Sequence, residues 1–428
     1  MAMIAGGGVG DDTARAVAVD SQNNFYVAGA FTGTINLGGT ALASAGGSDG
    51  FIAKYSVDGT HLWSKRFGST VTDIALDLAV DAQDNVVMTG YYEGSVDFGG
   101  GPLASAGQQD VFVVKFDGSG NHLWSKNFGD AGASQEGFGV AVDSASNVLV
   151  TGYYRGTIDF GGGNLPTAGN WSAFVAKLAP ADGAHVWSKG FTGGTATDES
   201  YSRTVAVNKT DGSVLIGGHF VGNVDFGSGQ VAADGRDAFA VKLASNGDFL
   251  WQNIATGNDY QMGRKVTFDN SGNALMLGYF NNSTNFGCGN ITPSAGYDTF
   301  LVRLSNTGSC QAQRRYGNTG DQLGDALAVD DAGNTLLGGE YEGVTNLGGG
   351  DLIAVSGRDI YIGKLTSTQS HVWSNAYGAG GTQRAYDMIA DHTGRVIAVG
   401  SFEQTVNFGS GPMTASEGQD IWIARFYP

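Results

Sequence analysis

Three arginines, an aspartate and two aromatic residues occupy one equivalent position along this chain, and together they could grip an anion. Arg15, Leu76, Phe138, Arg203, Arg264, Asp325 and Tyr386 each stand five residues before the end of a repeated phrase, which closes at Asp20, Asp81, Asp143, Asn208, Asp269, Asp330 and Asp391. Guanidinium forks match carboxylates in a bidentate manner. With Tyr386 or Glu136 in a covalent or acid–base role, the set would suit a glycosidase- or sialidase-like pocket. The remaining machinery is missing. There is no Ser-x-Asp-x-Gly-x-x-Trp turn, no Gly-x-Ser-x-Gly elbow opening a helix, no His-Glu-x-x-His pair and no phosphate loop. Mutual neutralisation with Asp77 and Asp387 is the plainer reading, and a non-catalytic role is expected.

A second variable set follows the glycine that closes each apolar run: Ala30, Tyr91, Tyr153, His219, Tyr279, Glu340 and Ser401. Exposed tyrosine and histidine faces beside Asx-rich loops suit a sugar, because a ring stacks on a pyranose while amides bond its hydroxyls. Trp171 joins this set, since the equivalent loops carry no tryptophan. The plainer alternative is packing between neighbouring elements.

Bulk composition narrows the classes. A net charge of −18 argues against nucleic acid, whose phosphates call for a basic face. No stretch approaches the roughly 20 apolar residues of a membrane-spanning helix. Residues 1–10 lack the basic and apolar regions of a secretory signal. Glycine is abundant (71) and proline scarce (6), yet the aromatics exclude disorder and the missing triplet period excludes collagen. Cys288 lies in a turn and Cys310 where other copies carry histidine, read as opposite ends of one sheet. No disulfide is therefore expected.

A repeat positions all of these residues. Seven copies follow one another at a period of about 62 residues. In the second copy, residues 76–81 alternate as an innermost strand, with small Ala79 on the crowded side, and the turn of residues 81–85 leads into a second strand over 86–92. That strand ends on an aromatic in every copy: Phe31, Tyr92, Tyr154, Phe220, Phe280, Tyr341 and Phe402. Asp97-Phe98-Gly99 and its equivalents are turn chemistry. A third strand opens on an acid (Asp110) and carries a base (Lys115), an arrangement expected to supply hydrogen bonds and ion pairs between neighbouring sheets. His122–Phe128 forms the outer strand, with Trp124 covering its edge. The recurring histidines His61, His122, His185 and His371 sit in different copies, too far apart to share one metal. The Asp-x-x-x-Asn turns lack the ligand density of a calcium loop. No cofactor is expected, with Ca²⁺ as the alternative.

The last copy ends after its third strand, and residues 1–7 fall in the outer-strand register, so the first eight residues are expected to complete it. The expectation is an all-β, seven-bladed β-propeller with four antiparallel strands per blade, a single domain over residues 1–428.

The phrases Ala-Val-Asp-x-x-x-Asn, Gly-Tyr-Tyr, Asp-x-Phe-Val-x-Lys and His-Leu-Trp-Ser-Lys-x-Phe-Gly resemble the bacterial seven-bladed β-propeller repeat (SBBP-type) family over essentially the whole chain. Copy five departs at Cys310–Tyr316 and copy four at Asn208 and Ser213. The resemblance implies an extracellular or cell-surface protein whose propeller is a binding platform. The resulting expectation is a monomeric recognition module for a glycan or cell-envelope polysaccharide, with no nucleic acid and no membrane insertion. A protein-interaction platform is the alternative, and a glycosidase-like enzyme the third reading.

Overall fold

The computed structural model describes residues 2–427 apart from Ala168, Gly169, Ser356 and Ser410; no helix occurs among them. Copies one to six each supply an inner, second, third and outer strand, and copy seven the first three of these. In copy three these are Gln135–Val142, Val148–Tyr154, Ser172–Leu178 and His185–Phe191, paired antiparallel in that order. The sheets of copies four and five join where Gly235–Arg236 runs parallel to Asp259–Tyr260. The N-terminal strand Ala2–Gly6 pairs antiparallel with the last strand, Pro412–Phe426, Gly6 opposite Ile421; Met1 and Pro428 lie outside the described residues. The chain groups into two compact units, one of residues 1–78, 294–299 and 316–428, the other of residues 79–293 and 300–315.

The phrase-ending aspartate has two jobs. Asp81 accepts the backbone N–H groups of Gln83 and Asn85 and the Asn85 amide, which fixes the tight turn between inner and second strands. It also holds the third-strand lysine of its own copy, Lys115, at 2.8 Å, with both side chains buried. The same pair recurs as Lys54–Asp20, Lys177–Asp143, Arg303–Asp269 and Lys364–Asp330. The expected ion pairs between neighbouring sheets are replaced by pairs within each of these copies, made by the base with the turn aspartate and not with the third-strand acid. That acid instead caps its own approach loop, as Asp110 accepts the N–H of Ala106 and Asp298 that of Ser294.

The lysine then reaches outward to the next copy. Lys115 Nζ and Trp124 Nε1 both donate to the carbonyl of Pro180, at 3.2 and 3.1 Å. Lys177 and Trp187 repeat this at Ser245. The tryptophan lies on the following glycine: a Cβ at Gly183, whose φ is +69°, would clash with the Trp124 ring. The outer strands of copies two and three are thereby bolted to the next copy's third-to-outer turn.

The Asx-Phe/Leu-Gly segment lies against the start of the outer strand. Phe98, Phe160, Phe226, Phe286 and Phe408 are all buried, and Phe160 packs on Phe128 of the preceding copy and on Phe174 of its own. The outer-strand histidine covers the second glycine of this turn, as His122 covers Gly100, and bonds a serine three residues on. This geometry corrects the cysteine expectation. Cys288 occupies that second-glycine position and Cys310 the histidine position, so the two meet and form a disulfide, with Cα atoms 5.6 Å apart. The strand directions alone suggested opposite ends; the fold-back of the connecting segment brings the two positions together.

At the start of the inner strand, Gln135 and Gln322 donate to loop carbonyls (Arg155 and Thr319). Copy one carries Asp12 there, fully buried beside Asp420. Burial, with Asp420 and Asp11 adding to it, pushes its carboxyl up to about 8. An acid whose folded-state pKa is raised stabilises fully below its unfolded value near 4 and loses that contribution as pH rises through about 8. Stability should therefore fall by on the order of a few kcal/mol between pH 5 and 9, and Asp12→Asn should flatten that slope in denaturant titrations; an unchanged slope would refute the assignment. Deleting residues 1–8, which strips the strand from Ile421–Arg425, should lower the melting temperature markedly by calorimetry.

Candidate functional site

The variable inner-strand residues share a backbone cause. The pairing register skips one residue in six inner strands, and the skipped residues are Arg15, Phe138, Arg203, Arg264, Asp325 and Tyr386. A β-bulge leaves its residue outside the ladder and re-aims the side chain. Leu76 holds the equivalent position in copy two and, like the other six, is half-buried. Two bulge residues on adjacent copies meet in each unit. Arg203 lies over the Phe138 ring at 4.9 Å, and Arg15 lies over Tyr386 at 4.3 Å.

In the unit of residues 79–293 the site is an aromatic and cationic cluster. Two residues before each bulge, the inner strand faces the second-strand variable residue across the ladder: Glu136 opposite Tyr153, Tyr201 opposite His219, and Met262 opposite Tyr279. Tyr153 donates to Glu136 Oε2 at 3.0 Å, stacks on Phe138, and meets Trp171 and Tyr201 edge-on. Tyr201 stacks on His219 at 4.8 Å and donates to Glu199. Arg236 donates to the Tyr260 hydroxyl and covers its ring, while Tyr260 stacks on Tyr279.

Burial sets the electrostatics. It holds His219 neutral, its pKa well below the usual imidazole value, and Arg203, Arg236 and Arg264 reinforce this. Burial also lowers Arg203, with Arg264 adding repulsion and Glu136 opposing it. It raises Glu136 despite the Tyr153 hydroxyl and the Arg203 charge. Arg203 makes no ion pair, and its Nε is buried without a hydrogen-bond partner, as is His219 Nδ1.

The unit of residues 1–78 and 316–428 is built differently. Glu340 is buried and gripped by Arg358 Nη1 at 2.7 Å and Arg384 Nε at 3.0 Å; Arg358 also binds Glu342 and Asp321. Burial and Asp325 raise Glu340, and Arg384 and Arg358 oppose them. Here acids and bases pair with one another through Glu340, Arg358 and Arg384. The sequence singled out other residues for neutralisation with Asp77 and Asp387, and placed Glu340 only among the variable second-strand positions.

The expected sugar-stacking faces are only partly open. Tyr153, His219 and Glu340 are buried, because each is covered by the variable residues of adjacent strands, whereas Tyr91, Tyr279 and Trp171 are half-buried. Arg203, Arg264, Tyr153, His219, Tyr279 and Trp171 form one cluster. Arg15, Tyr386, Glu340 and Asp325 belong to the other unit, and Tyr91 stands in copy two.

Arg236, Tyr201, Arg358 and Arg384 escaped the sequence reading. The signal was available: the residue before the third-strand acid reads Ser48, Gln109, Trp171, Arg236, Tyr297, Arg358 and Gln419. The largest exceptions in that series line the site. A polar cleft of about 300 Å³ adjoins Tyr260, lined by Thr256, Gly257, Asn258, Asn282, Ser283 and Asn290. A larger groove of about 560 Å³ lies on the outer flank around Phe191 and Phe249, and contains none of the candidate residues.

Residues 123–153, from the outer strand of copy two to the second strand of copy three, match the family model described as "SBBP: Beta-propeller repeat". That segment is similar to one SBBP-type β-propeller repeat. Similar curated proteins include an uncharacterized WD repeat-containing protein of Acanthamoeba polyphaga mimivirus, 22% identical over 92% of this chain. The regulatory protein FlaEY of Caulobacter vibrioides is 25% identical over 77% of it. The matches span 35% and 36% of those proteins' lengths, so this chain corresponds to about a third of each. Among solved structures, virginiamycin B lyase from Staphylococcus aureus aligns at 8% identity and TM-score 0.44, covering 99% of both chains. An apocarotenoid oxygenase from Synechocystis aligns at 11% and 0.44, covering 95% of this chain and 93% of its own.

A binding group that the fold itself does not need should be dispensable for stability. Arg203→Met should leave the melting temperature unchanged or raise it, since it removes a buried, unpaired cation. Arg358→Met should lower stability by about 2 kcal/mol, because it leaves buried Glu340 with one of its two guanidinium partners. Equal losses in both variants, measured by chemical denaturation, would contradict this division.

Proposed function

We propose that this chain is a non-catalytic recognition module that docks a protein partner through one end of blades three to five, the seven copies forming one seven-bladed domain. The observation that carries this reading is the concentration of half-buried Trp171, Tyr201, Arg236, Tyr260 and Tyr279 on adjoining sheets. Tryptophan, tyrosine and arginine supply most of the binding energy at protein interfaces. Such rings lose little conformational freedom on binding, and their polar tips fix orientation. Trp171→Ala and Tyr201→Ala should each weaken capture of the partner from the source organism's surface fraction by roughly ten-fold or more without unfolding the protein. Capture indifferent to both substitutions would remove the proposed surface.

A glycan is the second reading, favoured by the asparagine-lined cleft beside Tyr260, where amides can bond hydroxyls. Selective retention on a glycan array, lost in the combined Tyr91, Tyr153, Tyr279 and Trp171 alanine variant, would favour it over a protein partner. Repeating the array with a calcium chelator tests the Ca²⁺ alternative.

An extracellular or cell-surface location fits the Cys288–Cys310 disulfide, because such bonds persist in oxidising compartments. Protein isolated from its native source should show no free thiol before reduction; two free thiols would place it in a reducing compartment.

A further inference from the structure

We propose that copies four and five are joined by an isopeptide bond that the chain forms by itself, between the side-chain amine of Lys242 and the side-chain amide of Asn306. In copies two and three the third-strand lysine meets the turn aspartate of its own copy and a backbone carbonyl of the next. Copy four exchanges both partners. Asn208 takes the place of the turn aspartate, and copy five presents Asn306 where copies one to four and six carry Val57, Gly118, Pro180, Ser245 and Ser367. Two departures from the repeat thus converge on one lysine.

The amine is buried and poorly neutralised. Lys242 is 1% exposed; its Nζ donates to Asn306 Oδ1, lies over the Phe268 ring at 5.4 Å, and reaches the exposed Asp211 carboxylate only at 3.9 Å. An ammonium buried without a close anion is costly. Burial therefore favours the neutral amine, which is the nucleophilic form. The amide is held in place. Trp251 Nε1 donates to the Asn306 carbonyl at 2.8 Å, and the Trp251 ring lies so close to Gly308 (φ +82°) that a Cβ there would strike it. Holding amine and amide together in this way replaces a bimolecular encounter with an effective molarity on the order of 10⁵ M or more.

In the step itself, the Nζ lone pair adds to Asn306 Cγ and the Cγ–Nδ2 bond breaks. One of the two amine protons passes to Nδ2, so that ammonia leaves and the new amide keeps the other. Asp211, the carboxylate beside Nζ, carries that proton and returns to its starting state. No oxidant or cofactor enters the balance. Asn306 stands at an exposed turn, which lets the ammonia escape into water.

A hydrogen bond alone leaves the mass unchanged, so the test weighs the full chain, reduced and denatured, by mass spectrometry. The wild-type chain should be lighter than its sequence by one ammonia. Trypsin should release a branched peptide, residues 237–264 joined to residues 304–314 and uncut after Lys242. Lys242→Arg and Asn306→Ser should each restore the full sequence mass, and Asp211→Ala should leave most of the chain unjoined. A wild-type chain of full sequence mass overturns the proposal, and this readout requires no variant to fold. An ammonia loss that persists in Lys242→Arg also overturns it, because the loss then belongs to another site, such as a succinimide at Asn246-Gly247. Asn306 found as aspartate means that water and not the amine attacked, which overturns it as well. Undiminished joining in Asp211→Ala overturns the proton path.

Discussion

The fold depends on a buried lysine, repeated from copy to copy, whose ammonium is shared between its own sheet and the next. Lys115 is 3% exposed, pairs with Asp81, and donates to the Pro180 carbonyl of the following blade. Burial alone would raise the Asp81 carboxyl, but Lys115 and the Asn85 bonds outweigh it and leave it below the usual range. The same aspartate forms the inner turn, so one carboxylate ties turn, third strand and neighbour together. Copy four shows how much this arrangement constrains. Asn208 replaces the aspartate, Lys242 meets Asp211 at 3.9 Å, the Asn306 side chain and the Phe268 ring, and burial depresses its pKa.

Because these bolts lie in the sheets and in the turns between third and outer strands, the opposite ends of the inner strands are free to vary. There the repeat tolerates arginine, phenylalanine, aspartate and tyrosine at one backbone position, since a bulge places the residue outside the ladder. The two units use this freedom in opposite ways. Around Glu340, acids and bases satisfy one another, which suits a structural rim. Around Arg203 rings take the place of ion pairs: Arg203 lies over Phe138, and Tyr153 packs among Phe138, Trp171 and Tyr201.

Copy five replaces a noncovalent contact with a covalent one. Elsewhere a histidine ring rests on a glycine of the Asx-Phe-Gly-Gly turn; here Cys310 and Cys288 occupy those two places. Phe249 takes the histidine place in copy four and packs on Gly227. The requirement is a closed contact at this point, met by an imidazole, a benzyl ring or a disulfide.

The sequence by itself determined whatever depends on near neighbours along the chain. The strand alternation, the Asp81–Asn85 turn, the glycines of the Asx-Phe-Gly segment and the positions at which copies disagree were all legible, because each is fixed within a few residues. Tertiary structure decided what depends on residues well separated along the chain. The bulges that aim Arg203 and Arg15 carry no glycine or proline mark. Tyr153 reads as an exposed face until Phe138, Trp171 and Tyr201 close over it from adjacent strands. Cys288 and Cys310 read as distant until the connecting segment folds back. Whether a side chain is buried, paired or left open is set by atoms that local propensity does not see.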